Sequence, residues 1–311
     1  MHKINVLKLI QTVAAKLEAC CSDAINAKQE AWWLLEKLTN KSKTGLLANP
    51  ELQISDAQQA QLEQWVTDRV EHHKPLAYIL GSVPFCGNAT CGATTCDLEI
   101  LVKPPILIPR PETEEWVSWL IGQLKQANFT KFTAVDLCCG SGCIGLALAK
   151  AFPESKIIGI DISKDAINLS IENKIHNKIE NIEFIQSDLY QNLPHDFRCD
   201  LVVSNPPYLA KQELAQLSPE VKDWEDHLAL VAQDNGMYFY NRIFKESPRI
   251  LNKTTANKIS LNQINMSIPQ IVVEIGPAQK TIEPVLKSYK FKKFAVYNDM
   301  QHQKRWIGCW I

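Results

Sequence analysis

The pattern of apolar and polar positions changes character twice along the chain. Over residues 1–75 the apolar positions recur at helical spacing. Ile4, Leu7, Ile10, Val13, Ala14 and Leu17 share one face, and Trp32, Trp33, Leu34, Leu35 and Leu38 predict a second helix buried on more than one side. Thr44-Gly45 and Asn49-Pro50 interrupt the pattern, and a third helix is predicted from Ser55, a suitable N-cap, through Leu62, Trp65, Val66 and Val70. The expectation is a small helical bundle. From Tyr78 to Pro111, short Thr-, Val- and Ile-rich pieces are broken by Gly81, Gly87, Gly92, Pro104 and Pro105, so residues 76–111 read as a connector containing a β-hairpin or two.

Residues 112–311 follow a third pattern. After a helix around Glu114–Lys125 come apolar runs at Thr133–Leu137, Lys156–Ile160, Ile182–Ile185, Asp200–Ser204 and Gln270–Ile275, with helix-like segments between most of them. This βαβ alternation predicts an α/β domain whose mainly parallel sheet is covered on both faces. Phe291–Tyr297 and Arg305–Ile311 lie close together in sequence and predict an antiparallel edge. Leu251–Pro269, rich in Asn, Thr, Ser and Lys, reads as a surface insertion. No internal repeat is present.

Composition narrows the class. A chain of 311 residues, 46% hydrophobic and 22% charged, has room for roughly two domains and excludes a disordered or fibrous protein. No run approaches the roughly 18 apolar residues of a membrane helix, and the first twenty residues lack a secretory-signal pattern. Ten cysteines in a chain this long are too sparse for a disulfide framework, so reduced thiols and a cytoplasmic location are expected. The 33 Lys and Arg against 34 Asp and Glu give a charge of −1, and residues 1–75 carry nine of each sign. Neither the chain nor its bundle offers the basic field that nucleic acid requires.

Two motifs carry chemistry. Asp136-Leu137-Cys138-Cys139-Gly140-Ser141-Gly142-Cys143-Ile144-Gly145 stands where a strand gives way to a helix. Gly140 and Gly142 permit positive φ and close approach of a ligand, and the new helix opens with free N–H groups. Asp161 follows about 20 residues on, at the end of the next strand, where a carboxylate can accept ribose hydroxyls. The spacing fits a dinucleotide, any other adenosine ligand, or a tight turn with no ligand.

Ser204-Asn205-Pro206-Pro207-Tyr208 closes the fourth run, at a strand end where open α/β sheets bind ligands. Two prolines remove backbone donors and leave a rigid turn of carbonyl oxygens, the Asn205 amide oxygen and an aromatic ring. Such acceptors orient a conjugated NH₂ group toward an electrophile, for which a sulfonium methyl is suited, and the Tyr208 face steadies cationic character. A proline-stiffened loop is the plain alternative.

With the Gly140 loop, Asn205-Pro206-Pro207-Tyr208 resembles the class I S-adenosylmethionine-dependent methyltransferases that act on planar nitrogen. Ile108-Pro109-Arg110-Pro111-Glu112-Thr113-Glu114 narrows the resemblance to the protein-(glutamine-N5) methyltransferases of peptide chain release factors, the PrmC/HemK family. It continues in Pro75–Gly81, Ser187-Asp188-Leu189, Glu225 with Leu228-Ala229-Leu230, and Val273-Glu274-Ile275-Gly276.

The resemblance implies a Rossmann-like seven-stranded sheet with an N-terminal helical bundle that docks the release factor, and methyl transfer to the glutamine of a Gly-Gly-Gln loop. S-adenosyl-L-methionine is the implied cofactor. Gly140, Ser141 and Gly142 would cradle its methionine part, Asp161 would hold the ribose, Asp188 and Leu189 would border the adenine, and Asp136, Cys138, Cys139 and Asn205 would also contact it. Asn205 and the Pro206 carbonyl would hold the glutamine amide, with Pro207 beside them and Tyr208 on the amide plane. Arg110 and Glu112 would shape the entrance, or form an ion pair. No side chain is assigned as general base. Expected partners are release factors, with no direct nucleic acid, no membrane and a monomeric state.

Three features depart from the family pattern. Cys138 and Cys139 stand where the family usually has Gly and a small residue, which narrows the room beside the cofactor. Asp226 replaces a common Pro after Glu225. The longer connector spaces Cys86, Cys91 and Cys96 five residues apart, without the paired spacing or clear fourth ligand of a zinc site, so no metal is expected. The competing functions are an N6-adenine methyltransferase of DNA or RNA, which shares the Asn-Pro-Pro-Tyr turn, and a nicotinamide-binding oxidoreductase or a non-catalytic nucleotide-binding module, which leaves that turn without a role.

Overall fold

The computed structural model describes residues 2–86, 97–252, 268–276, 279 and 282–311. The chain divides into two units, Met1–Ser82 with Ser218–Trp224, and Val83–Leu217 with Glu225–Ile311.

In the first unit, strand β1 (His2–Asn5) pairs antiparallel with β2 (Glu51–Ile54), and helices α1 (Val6–Leu17), α2 (Ala24–Thr39), α3 (Lys43–Ala48), α4 (Asp56–Val70) and α5 (Leu76–Leu80) complete the bundle. Side chains start the helices: Asn5 accepts from the N–H groups of Leu7 and Lys8, and Ser55 and Gln58 form a reciprocal capping box. Because Asn5 caps α1, Ile4 lies on a strand and not on the expected helix face. Trp32 is buried while Trp33 is 44% exposed, since neighbours on a helix point about 100° apart. Thr44-Gly45, expected to break the chain, sits inside the short α3, whose cap Ser42 accepts the Gly45 N–H. Tyr78 belongs to α5 and not to a connector strand.

Helix α9 (Pro219–Lys222) also belongs to this unit. Arg69, 4% exposed, explains how: its guanidinium donates to Glu30 at 2.8 and 2.9 Å and to Glu220 at 2.6 Å. Trp224 Nε1 donates to the His72 carbonyl at 2.8 Å, and Lys74 lies over the Trp224 ring.

The second unit is an α/β layer structure. Its sheet runs β10-β11-β9-β8-β5-β6-β7, where β5 is Thr133–Leu137, β6 Lys156–Asp161, β7 Ile182–Gln186, β8 Leu201–Ser204, β9 Ile271–Glu274, β10 Lys293–Asn298 and β11 Lys304–Trp310. Strands β5 to β9 are parallel, and β11 and β10 add the antiparallel edge. The two-stranded sheet of β3 (Ser82–Phe85) and β4 (Leu98–Leu101) precedes it.

The central strands are buried on both faces. Val135, Leu137, Ile158, Ile160 and Val202 pack with Tyr240, Ile243 and Phe244 of α11 (Tyr238–Ile250) and with Ile282 and Leu286 of α12 (Ile282–Ser288). The opposite side meets α7 (Cys143–Ala151) and α8 (Lys164–His176), with α6 (Pro111–Gln126) against α7. The two neighbours of β5 continue the chain in opposite directions across the sheet, which makes the carboxyl ends of β5, β6 and β8 a topological switch point. Registers Leu137 to Ile160 and Leu137 to Ser204 bring those three ends level.

Leu251 and Ile268, expected at the ends of a surface insertion, are buried, and the Asn252 N–H bonds to the Cys199 carbonyl at 2.8 Å. Residues 253–267 lie outside the described residues. Among the described residues no helix is long and apolar enough to cross a membrane.

Asp136 is a fully buried polar residue on β5. One of its carboxylate oxygens accepts the Gly145 N–H of α7 at 2.9 Å, and the other meets no hydrogen-bond donor among the described residues. Burial pushes its carboxyl up to about 8, the Gly145 bond opposes that push, and the Asp161 charge adds to it. A folded-state value raised above the unfolded one means stability that is complete below the unfolded value and lost as pH rises through the folded one. Asp136→Asn removes this loss. Between about pH 6 and about pH 9 the Tm of the wild type is expected to fall relative to Asp136→Asn by at least about 2 °C, the shift worth about 1 kcal/mol in a domain of this size. Thermal melts across pH check this, and parallel Tm profiles would show that Asp136 is ionised throughout.

Candidate active site

The glycine loop between β5 and α7 is built around Asp161. Gly140 and Gly142 have φ of +55° and +80°, the left-handed conformations that their lack of a Cβ allows. Asp161, at the end of β6, accepts the Gly140 N–H at 2.8 Å through one oxygen and the Ser163 N–H at 2.9 Å through the other. The Cys139 and Gly142 N–H groups bond to the carbonyls of Ile160 and Cys139. These donors, which the sequence offers to a ligand, are therefore spent on holding the loop. The buried Asn173 of α8 adds a bond to the Ser141 carbonyl and a pair of bonds to Leu101 of β4.

Beside the loop lies a cavity of about 220 Å³ at the carboxyl ends of the strands. Of the residues singled out in the sequence, Cys138, Gly140, Asp161, Asp188, Leu189, Asn205 and Pro207 line it. Asp136, Cys139, Ser141, Gly142, Pro206, Tyr208, Arg110 and Glu112 do not. Asp136 is turned to α7, and Cys139 is buried with its sulfur toward Gly159, so only Cys138 narrows the cavity. Burial pushes both thiols well up, which keeps them protonated.

Much of the remaining wall was missed in the sequence as site residues: Ile106 and Leu107, Ile162 and Ser163, Asp226 with Leu228 and Ala229, and Tyr238, Phe239 and Arg242 of α11. Arg242 bonds to Asp188 at 2.6 Å and lies over the Tyr238 ring. Its only sequence signal was the i, i+4 spacing from Tyr238, which equally describes a solvated helix face. Asp226 caps the short helix α10 (His227–Leu230) by accepting the Leu228 N–H, and its charge pushes Asp161 in the same direction as burial, upward.

Asn205 follows β8 directly, and Ser204 ties that strand end to β5 by donating to the Leu137 carbonyl at 2.8 Å. Asn205 Nδ2 donates to Thr113 Oγ1 at 3.1 Å, Thr113 donates to Glu274 Oε2 at 2.6 Å, and Trp116 Nε1 donates to the same oxygen at 2.8 Å. Burial pushes the Glu274 carboxyl up. The two donors and Arg305 counter that push, while Glu112 adds to it. Tyr208 lies against Gly276, where a Cβ would come within 2.7 Å of the ring, and its carbonyl accepts Gln279 Nε2 at 2.6 Å. Burial pushes its phenol up to about 12, so it acts as a neutral ring.

Arg110 does not pair with Glu112. It bonds to Glu225, 1% exposed, at 2.5 Å, which explains why that acid can be buried. Among the described residues no cluster of three His, Cys, Asp or Glu side chains could hold a metal, and Cys86 sits 3.7 Å from the Ser118 hydroxyl. Cys91 and Cys96 lie outside the described residues.

Comparison with known proteins then gives the family. The model described as "Methyltransferase small domain" matches residues 117–222, and that described as "PrmC N-terminal domain" matches residues 9–81. A release factor glutamine methyltransferase of Fusobacterium nucleatum is 33% identical over 282 residues, covering 86% of this chain and 76% of the relative. Another from Flavobacterium psychrophilum is 31% identical over 278 residues and covers 88% of each chain. Among solved structures, the hMettl16 catalytic domain in complex with MAT2A 3′UTR hairpin 6 has a TM-score of 0.50 at 14% identity, covering 83% of each chain, a likeness of fold. With both family domains in order and relatives at this identity over most of their length, the chain belongs to the release factor glutamine methyltransferase family.

Proposed function

We propose that this protein transfers the methyl group of S-adenosyl-L-methionine to the side-chain amide nitrogen, N5, of the glutamine in the Gly-Gly-Gln loop of peptide chain release factors. The observation that carries this reading is the position of Asn205 at the cavity wall, at the end of β8, with its amide NH₂ already engaged by Thr113. Its oxygen is then the group left to accept an N–H from a substrate amide. The names of the relatives supply the substrate class.

The cavity fits the cofactor. A Cβ at Gly140 would meet nothing within 4 Å, so the loop leaves room beside its backbone. Gly140 and Cys138 would border the methionine part, the Asp161 carboxylate the ribose, and Asp188, Leu189, Tyr238 and Phe239 the adenine. When bound, the cofactor supplies an electrophilic sulfonium methyl.

The chain's own contribution is orientation. Asn205 Oδ1 and the Pro206 carbonyl each take one hydrogen of the glutamine amide, which points the nitrogen at the methyl carbon, and the prolines offer no competing donor. The neutral Tyr208 ring braces the turn from behind. With the cofactor bound, the methylated nitrogen would become acidic and its extra proton would leave to water by way of these accepting oxygens, so no side chain is assigned as general base. Much of the rate then comes from proximity. Residues 1–75, with equal numbers of positive and negative charges, suit docking of a protein better than of a polyanion.

Three outcomes are expected. Asp161→Ala should weaken S-adenosylmethionine binding by about 10- to 100-fold, or roughly 1.5–3 kcal/mol, because it removes a charge-assisted ligand and also frees Gly140. Calorimetry measures it, and unchanged affinity in a folded variant would displace the ribose from Asp161. Asn205→Ala should keep cofactor affinity within about 2-fold while kcat/KM falls by at least roughly 100-fold. Wild-type turnover in that variant would rule out the orienting role. Finally, labelled-methyl incorporation by the full chain should favour intact release factor over a short Gly-Gly-Gln peptide, with none into DNA or ribosomal RNA. Preferential labelling of nucleic acid would establish the adenine methyltransferase instead, and equal rates on factor and peptide would remove the docking role of the bundle.

A further inference from the structure

A carboxamide can sit in its site in two orientations related by a half-turn. In one, Asn205 presents an oxygen to the reaction space, and in the other an NH₂. Only the oxygen can accept a hydrogen from the amide that is to be methylated. Two side chains far apart in the sequence, Thr113 and Glu274, decide which orientation is held.

The sequence of donors is forced from the inside outward. Glu274 is 1% exposed, and one of its oxygens accepts both from the Trp116 indole N–H, which can only donate, and from the Thr113 hydroxyl. Thr113 is 2% exposed and has a single hydroxyl proton, which Glu274 claims at 2.6 Å. What remains on Thr113 Oγ1 is a lone pair, and it calls for a donor. The group facing it at 3.1 Å is Asn205 Nδ2. Were the carboxamide reversed, two oxygens would face each other in a buried site with no proton between them, a cost comparable to an unsatisfied polar pair.

We infer that Thr113, held by Glu274, is a positioning residue for methyl transfer that locks the Asn205 carboxamide with its oxygen toward the substrate amide. The inference rests on the function proposed above and adds two residues to it that do not line the cavity. Thr113 stands in the first turn of α6 and Glu274 ends β9, so the helix and the sheet together set the polarity of a side chain on a third element, the turn after β8.

The test uses the full chain, intact release factor as methyl acceptor, and steady-state kinetics beside calorimetric titration of the cofactor. Thr113→Val keeps the shape, removes the hydroxyl and leaves no room for a water to replace it. Its kcat is expected to fall by about 10- to 100-fold, with the KM for release factor and the cofactor Kd within about 3-fold of wild type. Thr113→Ser restores the hydroxyl, and kcat should return to within about 3-fold of wild type. A merely structural role would raise KM or Kd and would not be repaired by serine.

Glu274→Gln gives a second handle if the valine variant does not fold. Its amide can donate to Thr113, which lets the order of donors reverse, so kcat should fall in the same pattern. Unimpaired kcat in Thr113→Val or Glu274→Gln, a loss carried by KM or Kd, or a serine variant as slow as the valine one would each overturn the inference. An inactive wild type would overturn the proposed function and the inference with it, whereas an active wild type with an unimpaired Thr113→Val overturns the inference alone.

Discussion

Asp161 spends both carboxylate oxygens on backbone, taking the Gly140 N–H at 2.8 Å and the Ser163 N–H at 2.9 Å, and the geometry of the cavity depends on those two bonds. They fix the end of β6 to the loop leaving β5 at the level where the register aligns Leu137 with Ile160. The carboxylate is half-buried, which pushes its pKa up, and the backbone donors counter this. A ribose bound there would meet an acceptor whose position is already determined by the loop it helps to shape. Order in the glycine loop is thereby tied to a group that lines the cavity.

Three buried acids show how environment assigns different roles to the same chemistry. Glu225 is matched by the Arg110 guanidinium, so its charge is compensated by an opposite charge. Glu274 has two neutral donors on one oxygen and the Arg305 charge nearby, and it hands polarity outward through Thr113 to Asn205. Asp136 has a single N–H and a second acid in its field, and burial carries its carboxyl to about 8. A buried carboxylate is thus an anchor, a polarity source or a neutral hydrogen-bonding group according to the number of donors that surround it.

In the first unit the comparable centre is Arg69. Its guanidinium joins α2, α4 and α9 through Glu30 and Glu220, and a fork of this kind is specific because each N–H requires its own acceptor. Residues Ser218–Trp224 enter the unit through that fork and through the bond from Trp224 to the His72 carbonyl.

The local sequence determined what depends on short-range chemistry. Period and composition specified the bundle, the parallel sheet and the antiparallel edge, because burial on one face of a helix or both faces of a strand leaves its mark in neighbouring positions. Gly140 and Gly142 in the turn after β5, and Asp161 and Asn205 at strand ends, were legible for the same reason, each with a conformation or an acceptor that few other residues provide. Local pattern failed where capping or angle overrode it, as when Asn5 moved Ile4 out of α1 and the helical twist left Trp33 exposed beside a buried Trp32. Tertiary structure alone decided which partners meet. Thr113 and Asn205 are 92 positions apart, Thr113 and Glu274 161, and Arg110 and Glu225 115. Nothing in the spacing of such residues encodes a hydrogen bond between them. The parallel sheet, with its crossover connections, brings them together, and only then does a buried carboxylate fix the direction of an amide two side chains away.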